Sequence, residues 1–238
     1  MRGELKLVRM ARSALSGFFF VSYGLAALPA APVLMLPIWN GRSVRWIIRF
    51  FYKTFVFFAR LTRLYRVEID ARTKAQLTEC RGKVVVMNHL SLVDICVLMA
   101  HLPDSTVVAK SATLRNPFLS MVVKRGFIVN NEDPNEVIES ARRALSDGVN
   151  VIVFPQGTRG GETLKRGAAH FALAAQADIS VFRVSYDPLA LAKGQPWWDV
   201  GDREIVISLV GAGTLSAKGE NTHAAARRLT ELIGERIG

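Results

Sequence analysis

The 238-residue sequence predicts an α/β fold: a mixed, largely parallel sheet flanked by helices, with an N-terminal two-helix membrane-associating motif. Three observations carry this prediction. Short β-branched runs at residues 84–87 and 149–154 end abruptly in polar sequence, and each is followed by a helical pattern. Strand-like and helix-like segments go on alternating from about residue 67 to the C-terminus. The first 66 residues differ, joining a long uncharged stretch to a basic, aromatic-rich one.

The charge is distributed as unevenly as the hydropathy. The chain carries 31 Lys/Arg against 20 Asp/Glu, a formal net charge of +11. Residues 1–66 hold eleven of those Lys/Arg against one acid, Glu4, for a net +10. Residues 67–238 hold the other twenty against nineteen acids, for a net +1. A nucleic-acid reader spreads its base across the folded face that docks. Here the alternating part is nearly neutral, and base flanks the most apolar segment. No nucleic-acid partner is therefore expected, and the pattern points to a bilayer with anionic lipid. The chain divides into residues 1–66, a membrane-associating helical motif, and residues 67–238, an α/β domain long enough for a real core.

Arg2, Lys6, Arg9 and Arg12 form a basic lead. No charged residue falls between 13 and 39, a length sufficient to cross a bilayer as a helix. The run is too long for a signal-peptide core and has no convincing Ala-x-Ala stop, so it is expected to be retained. Pro29, Pro32 and Pro37 argue against a straight helix to its end. Both flanks are basic, so loop charge sets no direction. Two dispositions stay open: a span, or a segment that dips into one leaflet and returns. Arg42, Arg45, Arg49, Lys53, Arg60 and Arg63 then share one sector of a helix wound at about 100° per residue. Trp46, Ile47, Phe50, Phe51, Phe57, Phe58 and Leu61 fill much of the rest, the pattern of a helix lying in an interface.

Residues 67–70 alternate like an edge strand, 84–87 read as a buried strand and 92–101 as a helix. Residues 105–110 read as a strand, 111–125 as a helical stretch broken at Asn116-Pro117, and 127–129 as a short strand. Asp133, Pro134 and Gly148 are start and stop signals for a helix over 133–147. After the strand at 149–154 come a helix over 164–177, strands at 179–184 and 205–210, and a closing helix over 223–237. Residues 187–202 carry no clear element; Trp197 and Trp198 within them fit lipid contact and core packing equally well. Cys80 and Cys96 lack metal-ligand spacing and fit a reducing environment. The four histidines lack clustered acids or thiols, so neither a metal nor a cofactor is expected.

Chemistry concentrates where the two buried runs end. The first gives way to Asn88-His89, and Asp94 follows at the start of the next apolar stretch. Open α/β sheets place their ligands at this edge. A His and an Asp at one strand–helix turn are able to meet, the carboxylate then fixing the tautomer and stabilising the imidazolium. Alone, His89 has a plainer reading, as a ring that caps the helix or satisfies a buried carbonyl. It is not alone, because the second run ends in Phe154-Pro155-Gln156-Gly157-Thr158-Arg159-Gly160-Gly161. Glycine lets a backbone approach a ligand, and arginine offers a fork that matches phosphate oxygens.

Taken in this order, Asn-His-x4-Asp and Phe-Pro-Gln-Gly-Thr-Arg resemble the glycerolipid acyltransferase family, in particular the bacterial 1-acylglycerol-3-phosphate (lysophosphatidic acid) acyltransferases. The resemblance runs over residues 64–209. It implies a membrane-bound enzyme that moves a fatty acyl chain from acyl-CoA or acyl-carrier protein to the free hydroxyl of a lysophospholipid, 1-acylglycerol-3-phosphate, giving phosphatidic acid. It assigns the catalytic base to His89 and its orienting partner to Asp94, with no acyl-enzyme. It assigns Gly157, Thr158 and Arg159 to the acceptor's phosphate, together with Lys110 and with Lys165, which opens a Lys-x-Gly ending at Gly167. Joining a bilayer-borne acceptor to a water-soluble carrier places the protein on the cytoplasmic face of the cell membrane. Ser91 is a rival nucleophile only on proximity, since no Gly-x-Ser-x-Gly elbow surrounds it. The reading from a different class is a non-catalytic basic membrane-binding protein on the same fold.

Two positions depart from the family's pattern. Gln156 stands where the family usually has glutamate; it keeps the size and an accepting oxygen and loses the charge. Glu132 falls about where an arginine often binds glycerol phosphate, which favours another lysolipid, such as lyso-ornithine lipid, as an alternative acceptor.

Overall fold

The computed structural model describes residues 2–115, 120–130, 133–196, 199–219 and 222–238. The strands are β1 (Tyr65–Ile69), β2 (Val84–Met87), β3 (Ser105–Lys110), β4 (Ile128–Asn130), β5 (Asn150–Val153), β6 (Ile179–Asp187) and β7 (Ile205–Leu215). The helices are α1 (Arg2–Met35), α2 (Gly41–Leu61), α3 (Ala71–Thr78), α4 (Asp94–His101), α5 (Ser120–Gly126), α6 (Pro134–Ser146), α7 (Gly167–Ala175) and α8 (His223–Ile237). The strands form one sheet in the order β1-β7-β6-β2-β5-β3-β4. Every pairing is parallel except β6 with β7, so the sheet is mixed and largely parallel, as the alternating pattern predicts.

Successive residues of the central strands feed opposite faces. Val85, Met87 and Ile152 enter one core with Ile48 and Phe55 of α2 and Val97 and Leu98 of α4. Val84, Val86, Val151 and Val153 enter the other, with Ala141 of α6, Ala172 of α7 and Ile233 of α8. With both faces covered, β2 and β5 carry no exposed residue, and this is why they read as continuous apolar runs.

One irregularity reorganises β7. Ile205, Ile207 and Leu209 face the first core, whereas Leu215, also odd-numbered, faces the second. An extra residue between Gly211 and Thr214 opposes the step from Phe182 to Ser180 and flips the alternation. Gln76 fills this bulge. Its amide donates to Ser180 Oγ, Val181 O and Gly213 O and accepts from Gly213 N. The sequence expectation of a strand ending at 210 therefore stops at the bulge, five residues short of the strand's end.

Several predicted elements shift for local reasons. The helix expected from residue 92 begins at Asp94, because residues 91–93 form a turn closed by the Asp94 side chain. The helix expected from 164 begins at Gly167, since Lys165 N–H is drawn back to Pro155 O. α3 has no counterpart in the sequence prediction; Asp70, assigned to a strand, caps its N-terminus by accepting from Thr73 N. Pro134 opens α6 behind the cap Asp133, as predicted.

The N-terminal region packs on the sheet rather than beside it. α2 places Val44, Ile48, Phe55 and Ala59 in the same core as β1 and β2. The boundary at residue 66 therefore does not mark the edge of that core. α1 runs on through Pro29 and Pro32 and ends at Met35, before Pro37 and short of the end of the uncharged run. Carbonyls near its end find side-chain donors instead: Val33 O accepts from Trp39 Nε1, and Leu34 O from Arg125 Nε. At its other end Arg9 pairs with Asp199, and Arg12 donates to Arg63 O and Leu64 O. Among the described residues no helix is long and apolar enough to cross a membrane. The basic stripe of α2 is divided. Arg45 forms a bidentate pair with Asp104 at 2.5 and 2.9 Å, and burial lowers the Arg49 guanidinium from its ordinary value. Arg42, Lys53 and Arg60 are exposed.

Candidate active site

β2 ends at Met87, and the next two residues are held by its neighbours. Asn88 is buried and continues the pairing with its side chain: Nδ2 donates to Val184 O and Oδ1 accepts from Val184 N. His89 is clamped through its backbone. Its N–H donates to Gln156 Oε1 at 3.0 Å, and its carbonyl accepts from Gly160 N at 2.8 Å. The two sequence motifs are thus joined through the His89 main chain, by one side-chain and one backbone bond, at the C-terminal edge of adjacent strands.

The His89 ring lies over Phe154, with centroids 4.3 Å apart and an interplanar angle of 23°. Its Nδ1 is 2.8 Å from Asp94 Oδ2. Asp94 is fully buried, and the same oxygen accepts from Leu90 N and Ser91 N at 2.7 and 2.8 Å. Its other oxygen accepts from Tyr186 Oη. Oδ2 already accepts two backbone N–H groups and so faces the ring as an acceptor, which puts the proton on Nδ1 and the lone pair on Nε2. Nε2 has no protein partner among the described residues. The arrangement is a base oriented by a buried acid.

The structure places the remaining candidates unequally. Gly157 adopts φ +68°, which favours glycine, and a Cβ there would lie 3.2 Å from Cε of Lys165, so the two residues are packed together. Arg159 is partly buried and spends Nη1 on Leu191 O at 2.8 Å, which leaves the rest of the fork for a ligand. Thr158 is exposed beside it. Lys110 ends β3, exposed, and no hydrogen bond or ion pair joins it to the others among the described residues. Ser91 is fully buried and donates Oγ to Ala190 O, so it is turned away from any substrate. Cys96, half-buried and two residues past the acid in α4, has its thiol pushed up to about 12 by desolvation and remains a thiol. Glu132 and Trp197-Trp198 lie outside the described residues, as do residues 116–119. Among the described residues no cluster of His, Cys, Asp and Glu suits a metal ion.

Three roles escape the motif reading. Asn88 and Phe154 belong to the motifs, but what they do depends on which strands are neighbours. Tyr186 is 92 residues from Asp94. The one available signal is that the alternation of the 179–184 strand continues through residue 186.

The family model described as Acyltransferase matches residues 68–187, or 120 of the 238. The chain belongs to the acyltransferase family. Among curated relatives, 1-acyl-sn-glycerol-3-phosphate acyltransferase beta of Homo sapiens is 30% identical over 160 residues, covering 62% of this chain and 55% of that one. The alpha protein of Mus musculus is 33% identical over 127 residues, covering 49% and 45%. The chain thus spans about half the length of the curated relatives it matches. The crystal structure of the 1-acyl-sn-glycerophosphate (LPA) acyltransferase PlsC from Thermotoga maritima superimposes with a TM-score of 0.68, covering 97% of this chain and 95% of that one. At 18% identity that likeness shows a shared fold. This acyltransferase-family chain carries its His-x4-Asp and its Phe-Pro-Gln-Gly-Thr-Arg inside the matched region.

Proposed function

We propose that the protein is a membrane-bound O-acyltransferase that moves a fatty acyl chain from acyl-CoA or acyl-carrier protein to the free hydroxyl of 1-acylglycerol-3-phosphate, giving phosphatidic acid. The observation that carries this reading is the His89–Asp94 pair, with Nε2 left for substrate at the mouth of β2. Nε2 takes the proton of the acceptor hydroxyl as its oxygen attacks the thioester carbonyl. The tetrahedral intermediate then collapses, the C–S bond breaks, and the imidazolium returns the proton to the departing thiolate. Asp94 keeps Nδ1 protonated throughout and stabilises the imidazolium.

Gly157, Thr158 and Arg159 hold the acceptor's phosphate, with Lys165 packed against that loop and Lys110 on the adjacent strand, β3. The names of the relatives support the acceptor. Residues 1–66 hold the site against the cytoplasmic face of a membrane with anionic lipid. Support comes from the outer side of α2, where Trp46, Phe50, Phe57 and Leu61 are 64, 55, 62 and 66% exposed. At about 100° per residue these four lie within about 60° of one another, directly beside Arg42, Lys53 and Arg60.

The test is a panel of acceptors, including 1-acylglycerol-3-phosphate and lyso-ornithine lipid, each assayed with labelled acyl-CoA and acyl-carrier protein. Transfer to 1-acylglycerol-3-phosphate is expected, and it is lost in His89→Ala. Transfer that survives unchanged in folded His89→Ala protein overturns the reading, as does the absence of transfer to every acceptor.

A further inference from the structure

The structure assigns Tyr186 a positioning role in this reaction: its hydroxyl donates to Asp94 Oδ1 and so turns Oδ2 toward Nδ1 of His89. This rests on His89 being the base. Oδ2 is fixed by Leu90 N–H and Ser91 N–H, which belong to the turn itself. Those two bonds share one oxygen and leave the carboxylate free to pivot about it. Oδ1, at the other end of the group, has one donor among the described residues, and it comes from a different element, β6. The hydroxyl therefore fixes the carboxylate plane and satisfies an oxygen that burial would otherwise leave without a partner.

The tyrosine is itself well placed. β6 pairs with β2, and the Asn88 side chain locks onto Val184, two residues before Tyr186. The strand that supplies the hydroxyl is thus tied to the residue preceding His89. Burial, followed by the charge of Asp94, raises the phenol well above its ordinary value, so it stays a donor across the working pH range. Cys96 of α4 also acts on the phenol, and Tyr52 of α2, Tyr23 of α1 and Tyr65 of β1 surround that thiol in turn. Burial raises each of them, so none changes charge in that range. Asp187, the next residue of β6, is paired outward with Arg203.

A donor on Oδ1 draws charge away from Oδ2 and loosens the carboxylate's hold on the imidazolium proton. Removing it concentrates the charge on the oxygen facing His89, and the acid limb of kcat/KM moves to higher pH. A stronger donor does the opposite. The experiment compares the wild type with Tyr186→Phe and with protein carrying 3,5-difluorotyrosine at position 186. It uses the full chain, with acyl-CoA and 1-acylglycerol-3-phosphate in mixed micelles. Tyr186→Phe is expected to lower kcat roughly tenfold with both KM values within about twofold. Its acid limb moves up by about half a pH unit, the fraction of a charged hydrogen bond that this oxygen transmits. The fluorinated residue, which keeps the shape, moves the limb down. Unmoved limbs in both proteins overturn the assignment and reduce Tyr186 to packing. If Tyr186→Phe fails to fold, the fluorinated protein alone decides. Full activity in His89→Ala would sink the base itself, so the two failures are distinguishable.

Discussion

Gln156 Oε1 accepts the backbone N–H of His89 at 3.0 Å, although 67 residues separate them. That bond needs an acceptor and no charge, so glutamine serves. The requirement yields a contrast. Gln156→Glu is expected to keep kcat within about threefold, whereas Gln156→Leu, which leaves the His89 N–H without its partner, lowers kcat roughly tenfold. Steady-state kinetics on both variants checks it. Equal losses in the two would mean that neutrality at 156, and not the acceptor, is what the site needs.

Much of this arrangement is legible in the sequence, and the missing part has a common cause. β2 and β5 announce themselves because both their faces are buried, and each motif sits immediately after one of them. α8 and the Asp133 cap follow from local periodicity and capping chemistry. What cannot be read is which strands become neighbours. The order β6-β2-β5 brings Tyr186 and Gln156 to opposite sides of His89, and no local pattern encodes it. The bulge in β7 escapes for the same reason, because it is answered by Gln76, 137 residues away from Gly213.

His89→Ala should lower turnover roughly a hundredfold or more, the usual scale for a general base, with the circular-dichroism spectrum and melting behaviour retained. His89 is partly exposed at the strand mouth, so its loss opens no large cavity. Asp94→Asn is expected to be as severe in rate and worse in stability. The amide would set an N–H against donors that now all point at a carboxylate, and it would favour the wrong imidazole tautomer. Wild-type turnover in either folded variant removes the pair from the mechanism.

Arg159→Ala should raise KM for the acceptor more than KM for the acyl donor, with Arg159→Lys recovering only part of the loss. The bond from Nη1 to Leu191 O adds a second effect. The segment around Ala190 and Leu191 also receives Ser91 Oγ and Leu92 N, so freeing it loosens the back of the His89 turn. Limited proteolysis near residues 188–196 should therefore quicken in Arg159→Ala. A donor KM that rises while the acceptor term stays fixed means that the two substrates are reversed.

His101 gives a pH prediction for stability. Burial lowers it from its ordinary value, with Lys53, Arg49 and Lys74 acting the same way, against a bond from Nδ1 to Val97 O. The unfolded chain then binds a proton, below about pH 6.5, that the folded chain does not. Stability from this group is whole above that value and is lost as the pH falls through it. Urea midpoints should drop between about pH 7.5 and 5.5 in the wild type, and the drop should be shallower in His101→Gln. Parallel curves for the two proteins would show that His101 does not contribute.

The N-terminal region calls for a finer cut than removal. Deleting residues 1–66 would strip Val44, Ile48, Phe55 and Ala59 from the core, and the product would report on folding rather than on membranes. The exposed side of α2 can be changed without touching that core. Replacing Trp46, Phe50 and Phe57 by serine is expected to weaken binding to neutral and anionic vesicles alike. Each such surface change should alter stability by no more than about 0.5 kcal/mol. Replacing Arg42, Lys53 and Arg60 by glutamine should act differently. At on the order of 1 kcal/mol per cation near an anionic surface, three together predict roughly a hundredfold weaker partitioning onto anionic vesicles. Neutral vesicles should be bound nearly as before, and added salt should erase the difference between mutant and wild type. Arg45 and Arg49 make poor choices for this test, the one paired with Asp104 and the other partly buried, since their loss disturbs the domain as well. If all six substitutions leave co-sedimentation with vesicles and activity on bilayer acceptor unchanged, α2 is only the cover of the sheet, and the membrane contact must be sought on α1, where Phe18 and Leu25 are exposed.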